Sequence, residues 1–89
     1  MKLDFDKSFS KALDKIKSPK TLTQISDTLE NCEVAKRISQ ISGIKKLSGF
    51  KTFYRIRVGN YRIGIEFIKP DTILFITVLS RKDIYKRFP

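Results

Sequence analysis

Apolar residues recur with one spacing in the first half of the chain and with another in the second. Phe9, Leu13 and Ile16 follow the three-to-four-residue spacing of a helix. Residues 54–67 instead alternate between apolar and polar on either side of a Gly-Asn pair, which is typical of strands with one buried face. The pattern predicts helices first and a sheet after them, an α+β order of elements.

Local signals place the ends of the first elements. Residues 2–5 alternate and indicate a short N-terminal strand. Asp6 is placed to cap a first helix, while Ser18 and Pro19 are placed as the N-cap and first residue of a second. Apolar residues at helical spacing within residues 34–41 indicate a shorter third helical piece, which Gly43 would end in the left-handed conformation.

The Gly-Asn pair at 59–60 predicts a two-residue hairpin turn of type II′. Counting outward from that turn pairs Arg57 with Arg62 and Arg55 with Gly64. A second turn near residue 70 leads to the apolar run 73–79, which suits a strand covered on both faces.

The predicted fold is a single domain, residues 1–89, of class α+β. It has a short N-terminal strand, a helical hairpin and then a C-terminal antiparallel β-meander, with the hairpin helices on one sheet face. The tail at 82–88 is expected to form a short helix or an irregular arm.

One face of the predicted hairpin is apolar and the other carries Arg55, Arg57, Arg62, Gly64 and Glu66. Like charges directly opposite on a sheet cost stability, so the Arg57/Arg62 pair indicates a use beyond folding. We expect Glu66 to relieve Arg55 diagonally and Gly64 to leave a hollow where a sugar-phosphate backbone approaches. The alternative interpretation is a basic face that is merely solvated.

The composition also favours a basic surface that binds a partner. The 89 residues include 19 Lys and Arg against 9 Asp and Glu, a formal charge of +10, which favours a polyanionic partner over a simple solubility role. With one cysteine and no histidine, a zinc site of Cys and His ligands is excluded. No apolar run approaches the roughly 20 residues of a membrane span, so we expect a cytoplasmic protein that does not engage the membrane.

Arginine dominates the basic residues of the second half, and its planar fork of donors matches phosphate. Arg81 follows the last predicted strand, within reach of the basic face, and Tyr85 lies four residues later.

Three segments, Lys46–Gly49, Phe53–Ile63 and Ser80–Tyr85, strongly resemble the RelE/ParE toxin superfamily of bacterial toxin–antitoxin systems. The YRIRVGNYRI run is the most specific of them. RelE-like members are messenger-RNA endonucleases of the ribosomal A site, and ParE-like members poison DNA gyrase. The shared fold does not decide between them.

The resemblance implies a site as well as a fold. The catalytic residues it implies are Arg55, Arg57, Arg62, Arg81 and Tyr85, and the RNA-binding residues are Lys46, Lys51, Lys82 and Lys86. Many relatives carry a histidine where this chain has Ser80.

The activity implied is a ribosome-dependent, metal-independent endoribonuclease without a cofactor. Its partners are the ribosome, messenger RNA and an acidic antitoxin. A ParE-like gyrase inhibitor and a catalytically inactive RNA-binding relative are the alternatives.

Overall fold

A five-stranded sheet forms the centre of the protein. The computed structural model describes residues 1–89. The elements are β1 (Lys2–Phe5), α1 (Lys7–Asp14), α2 (Pro19–Val34), a 3-10 helix (Ile38–Gln40), β2 (Ile44–Lys46), β3 (Phe53–Val58), β4 (Tyr61–Ile68), β5 (Thr72–Ser80) and α3 (Ile84–Arg87). The strands lie in the order β1-β5-β4-β3-β2. The meander β3–β5 is antiparallel, as predicted, and β2 adds a further antiparallel strand beside β3. Strand β1 runs parallel to β5, so the complete sheet is mixed.

The predicted caps of both long helices are present. The Asp6 carboxylate accepts a hydrogen bond from the Ser8 backbone N–H at 3.1 Å. Ser18 Oγ accepts one from the Thr21 N–H at 3.2 Å, and Pro19 is the first residue of α2. These bonds satisfy donors that a helix start leaves without partners. No helix of the protein is both long and apolar enough to span a membrane.

The third helical piece is shorter than the spacing predicts. Val34 is the last residue of α2, and only Ile38–Gln40 form a further turn, of 3-10 type. Gly43 has a φ of +78°, the left-handed conformation that glycine adopts without steric cost. It leads into β2, a three-residue edge strand that the sequence pattern did not reveal.

Helices α1 and α2 pack on one face of the sheet and enclose the main core. Twelve buried residues form this core: Phe9, Ile16, Ile25, Cys32, Ile41, Ile56, Val58, Ile63, Ile65, Ile73, Phe75 and Val78. Tyr54, Tyr61 and Phe67 pack against it, so the predicted inner face of the hairpin is confirmed. Burial raises the pKa of the Cys32 thiol to about 11, which keeps it protonated and unreactive.

Strand β5 is covered on both faces, as its apolar run predicts. Ile73, Phe75 and Val78 enter the main core although their spacing is two and then three residues. A register shift in the β4–β5 pairing leaves Ile76 as an extra residue, and such a bulge changes which face the following residues occupy. Ile76 packs against a second, smaller core on the opposite face.

That second core comes from the C-terminal tail. Leu47, Ile84 and Phe88 are buried together, and α3 supplies Ile84 as its buried residue. The tail is therefore a short helix followed by a docked phenylalanine. Because α3 lies across the sheet from α1 and α2, the outer face is basic over only part of its area.

The hollow expected at Gly64 is absent. Gly64 is buried, and a Cβ built on it would lie 2.8–2.9 Å from three ring atoms of Phe88. That separation is far shorter than an ordinary van der Waals contact, so glycine is required for the ring to pack on the strand. The prediction of a hollow for a sugar-phosphate backbone was wrong, because it did not consider that the C-terminal tail packs on this part of the sheet.

Gly64→Ala is expected to lower the free energy of unfolding by about 1–3 kcal/mol, the usual cost of overpacking a filled core. Denaturant unfolding followed by circular dichroism measures it. In a Phe88→Ala background the ring is gone, so adding Gly64→Ala should cost much less. Equal costs in the two backgrounds would show that Phe88 is not the obstacle.

Candidate functional site

The hairpin register places the arginines as the turn predicts. Arg57 pairs with Arg62 and Arg55 with Gly64. Gly59 has a φ of +57° and no other residue type has a positive φ, as a type II′ turn requires. Because the residues between these positions enter the main core, the arginines lie on the sheet face opposite α1 and α2.

A second pair of like charges lies beside the first. Lys45 of β2 pairs with Arg55 of β3, so cations face each other at two neighbouring positions of the outer face. Each such pair costs about 0.2–1 kcal/mol. Glu66 makes no hydrogen bond with Arg55, and its carboxylate instead accepts one from Thr52 Oγ1 at 2.9 Å.

Arg62 is held by the turn that precedes it. Its Nη1 donates to the carbonyl oxygens of Gly59 at 3.0 Å and Tyr61 at 2.9 Å. Its Nε is buried without a hydrogen-bond partner. Loss of solvation lowers the pKa of Arg62, and the charges of Arg55 and Arg57 lower it further. The guanidinium is thus fixed in place within a region of positive potential.

Arg55 and Tyr85 are in contact. The Arg55 guanidinium carbon lies 5.6 Å from the centroid of the Tyr85 ring, within the range of a cation–π interaction. Tyr85 remains 64% exposed, since Ile84 and Phe88 on either side of it carry the buried surface of the tail. The second core therefore brings Tyr85 to the arginines.

Arg81 completes the cluster. Its side chain is exposed, and its backbone N–H donates to the Asn60 carbonyl at 3.0 Å. The charge of Arg81 also lowers the pKa of Arg62, while Tyr85 acts in the opposite direction. We call Arg55, Arg57, Arg62, Arg81 and Tyr85 the arginine cluster.

The predicted lysines are not gathered in the same way. Lys46 lines a cleft that also contains Arg55 and Tyr85. Lys51 lies in a different cleft, beside Glu66. Lys82 and Lys86 are exposed on the C-terminal segment and line neither cleft.

Lys45 was not predicted as a site residue, although it lies directly opposite Arg55. The alternation of Ile44 with Lys45 fits a strand, but three residues are too few for an alternating pattern to be recognised.

The chemistry available to the cluster is electrostatic. The chain has no histidine, and arginine does not give up its proton at ordinary pH. Ser80 holds the turn before α3 with two acceptors, because the Asp83 N–H donates to its backbone carbonyl at 3.0 Å and to its Oγ at 3.2 Å. No group of three or more His, Cys, Asp or Glu side chains is arranged to hold a metal ion. The guanidinium groups of the arginine cluster can bind and stabilise phosphate oxygens.

Comparison with known proteins identifies the family. Residues 3–85 match the family described as ParE toxin of the type II toxin–antitoxin system parDE. The chain belongs to the RelE/ParE toxin superfamily. It is 43% identical over 90 positions to Toxin RelE3 of Methanocaldococcus jannaschii, with all of both chains covered (100% and 100%). The predicted resemblance is therefore confirmed.

Solved structures of RelE toxins share the fold. The RelB–RelE antitoxin–toxin complex from Methanococcus jannaschii matches with 42% identity and a TM-score of 0.79, over 97% of this chain and 99% of that one. The intact E. coli RelBE complex matches with 27% identity and a TM-score of 0.63, over 89% and 94%. This toxin thus has the architecture of RelE toxins, as the predicted fold class implies.

Arg57→Thr is expected to stabilise this toxin by a few tenths to about 1 kcal/mol, because it removes the repulsion of Arg62 and introduces a residue that strands favour. Denaturant unfolding at low and high salt measures the effect, which should shrink as salt screens the charges. Lys2→Thr is the control, since Lys2 is an exposed strand residue that pairs with Thr72. A less stable Arg57→Thr protein would show that the pair is not a strained one.

Proposed function

We propose that this toxin is a ribosome-dependent messenger-RNA endonuclease whose arginine cluster acts without a metal ion. The observation that carries the proposal is the convergence of four arginines and an exposed tyrosine on one face, without a relieving carboxylate at the Arg57/Arg62 pair. Full-length similarity to Toxin RelE3 supports it. A cluster that costs stability and matches phosphate in its donors fits RNA better than it fits a purely structural role.

The proposed reaction is an attack by the RNA 2′-hydroxyl on the adjacent phosphorus. The 2′-oxygen–phosphorus bond forms, the bond from phosphorus to the 5′-oxygen breaks, and the proton lost by the nucleophile is balanced by one gained by the leaving oxygen. Negative charge grows on the phosphoryl oxygens in the transition state. Arg55, Arg57 and Arg62 stabilise this charge, an electrostatic contribution that is usually the largest in such sites.

The other two residues of the arginine cluster act at the leaving group and at a base of the RNA. Arg81, exposed just past β5, stabilises the negative charge on the leaving 5′-oxygen, which takes its proton from outside the cluster, and Tyr85 stacks on or orients a base. Arginines make poor general bases, so correct alignment of the 2′-hydroxyl has to come from elsewhere. Ribosomal RNA supplies it in this proposal, which makes cleavage depend on the ribosome.

An antitoxin is the second proposed partner. Similar toxins have been solved in complexes with RelB antitoxins. A net charge of +10 and the exposed arginines favour an acidic segment that covers Arg55, Arg57 and Arg62 by charge complementarity.

A ParE-like gyrase inhibitor is the second candidate function, favoured by the match of residues 3–85 to the ParE toxin family. Such a protein acts by binding and needs no reacting centre. Ser80 in the place of a histidine leaves a third candidate, an inactive relative that still binds RNA. Cleaved translated messages indicate the endonuclease, and trapped gyrase–DNA complexes indicate the gyrase inhibitor. Neither is expected from an inactive relative.

Arg81→Ala is expected to abolish messenger-RNA cleavage and growth arrest while leaving the fold nearly unchanged. Loss of one donor to a developing anion typically costs about 10²–10³ in rate. The bond from Arg81 to Asn60 uses the backbone N–H, so truncation should change stability by no more than about 0.5 kcal/mol. Arg81→Lys should rescue poorly, since it keeps the charge and loses the planar fork.

The measurement is induction of each variant followed by mapping of the 5′ ends of translated messages. Arg87→Ala is a matched control, because Arg87 is an exposed arginine of α3 outside the cluster. Full cleavage by Arg81→Ala removes Arg81 from the site. Intact messages with trapped gyrase–DNA complexes in the wild type would assign the protein to the ParE-like function.

Affinity for single-stranded RNA should depend on salt. If Arg55, Arg57, Arg62 and Arg81 each meet one phosphate, four contacts to a single strand give a log–log slope of about −2.8. A binding titration over a range of salt concentrations, followed by fluorescence anisotropy of a labelled oligonucleotide, measures this slope. A flat response would assign these side chains to the antitoxin or to another target.

A further inference from the structure

A cleft of about 240 Å³ opens beside the arginine cluster, between the loop that follows β2 and helix α3. Its walls include Lys45, Lys46, Phe50, Arg55 and Tyr85, and no acidic residue lines it. Drug-sized ligands occupy pockets of about 300–1,000 Å³, so this cleft suits a smaller group.

Phe50 is an exposed aromatic residue held in a defined position. Its side chain is 43% exposed, yet its ring packs edge-on against Phe53 at 5.7 Å between centroids. Phe53 packs in the same way on Phe88 at 5.7 Å, which connects the ring to the second core. The turn before it depends on Gly49, whose φ of +84° suits glycine. The loop is therefore built to present this ring at the surface.

Tyr85 offers a second aromatic ring in the same cleft. Its contact with Arg55 occupies part of the ring surface, and the rest is open, since the side chain is 64% exposed. Neither ring is buried in a core, so both present aromatic surface to the same small cleft. Bases of single-stranded nucleic acid stack on rings of this kind.

Cations complete the cleft. Lys45 and Arg55 lie directly opposite each other on β2 and β3, and Lys46 lies at the margin. Aromatic rings beside a row of positive charges, with no carboxylate between them, match a flat base joined to a phosphate.

We propose that this cleft holds one unpaired nucleotide of the RNA substrate. The base lies against the Phe50 ring, and the phosphate lies against Lys45 and Arg55. Phe50 is then a specificity-determining residue, because the shape of the cleft decides which base stacks well. The inference rests on the proposed function for the identity of the substrate, but binding of the nucleotide does not require cleavage.

The first experiment measures cleavage of messages on programmed ribosomes, with each base of the test codon varied in turn. Phe50→Leu keeps an apolar side chain and removes the ring. It should raise the KM by about 10-fold, within the usual contribution of base stacking, and flatten the base preference at one position. The kcat should stay near the wild-type value, because Phe50 does not touch the reacting atoms. Phe50→Tyr restores the ring and should restore the preference.

Leu22→Ala is the matched control, since Leu22 is an exposed apolar residue on α2, across the sheet from the cleft. It should leave both KM and base preference unchanged. Wild-type cleavage with an unchanged KM and preference in Phe50→Leu would overturn this inference while leaving the proposed function intact.

The second experiment tests binding alone. Protein carrying ¹³C-labelled aromatic rings is titrated with short single-stranded oligonucleotides of one base each, in the absence of ribosomes. The resonances of Phe50 and Tyr85 should shift together and saturate, and Phe50→Leu should weaken the Tyr85 shift. If only an antitoxin peptide shifts these resonances, the cleft is a protein-binding site and the inference is wrong. If RNA binds here but the wild type cleaves no message, the proposed function fails and this inference stands.

Discussion

The tight turn at Gly59 determines which side chains face the core and which face outward. Its two-residue loop fixes Arg57 opposite Arg62, and a slip of one residue would move every side chain of the hairpin to the other face. Ile56 and Ile63, both fully buried, make such a slip costly, because it would replace them with arginines. The force that builds the main core therefore also assembles the cationic face. Hydrophobic burial maintains a charge arrangement that is unfavourable in itself.

The C-terminal tail turns this cationic face into a defined site. Ile84 and Phe88 are anchored in the second core, and Phe88 lies directly over the strand at Gly64. Tyr85, between these anchors, meets Arg55. The site thus lies where a small apolar cluster adjoins a row of cations. Partial burial there strengthens electrostatic interactions, and it also lowers the pKa of Arg62. The sheet, the turn and the tail each contribute members that local sequence does not bring together.

Sequence patterns were sufficient for features that depend on neighbouring residues. The caps at Asp6 and Ser18, the type II′ turn and the hairpin register all follow from short-range rules. Features that depend on distant contacts were missed or misjudged. Gly64 looked like an open hollow because its neighbour in space, Phe88, lies 24 positions further along the chain. Strand β2 is too short to show a period. The hydrogen bond from Thr52 to Glu66 was equally invisible to the alternation that suggested relief of Arg55.

Ser80 is the last residue of β5 and directly precedes Arg81 of the arginine cluster. The Asp83 N–H donates to the Ser80 backbone carbonyl at 3.0 Å and also to the Ser80 Oγ at 3.2 Å, so the hydroxyl adds a second acceptor to the turn that joins β5 to α3. The contact between Ser80 and Asp83 spans Arg81 and ends two residues before Tyr85 along the chain, where it can set the relative placement of both. In the proposed mechanism, a residue that cannot transfer a proton near neutral pH thus helps to position Arg81 and Tyr85. Because arginines are the only cluster members of fixed charge, binding and charge stabilisation are the contribution proposed for the protein. In the proposed mechanism the nucleophile is aligned from outside the chain, by an RNA partner that already holds the substrate strand in place.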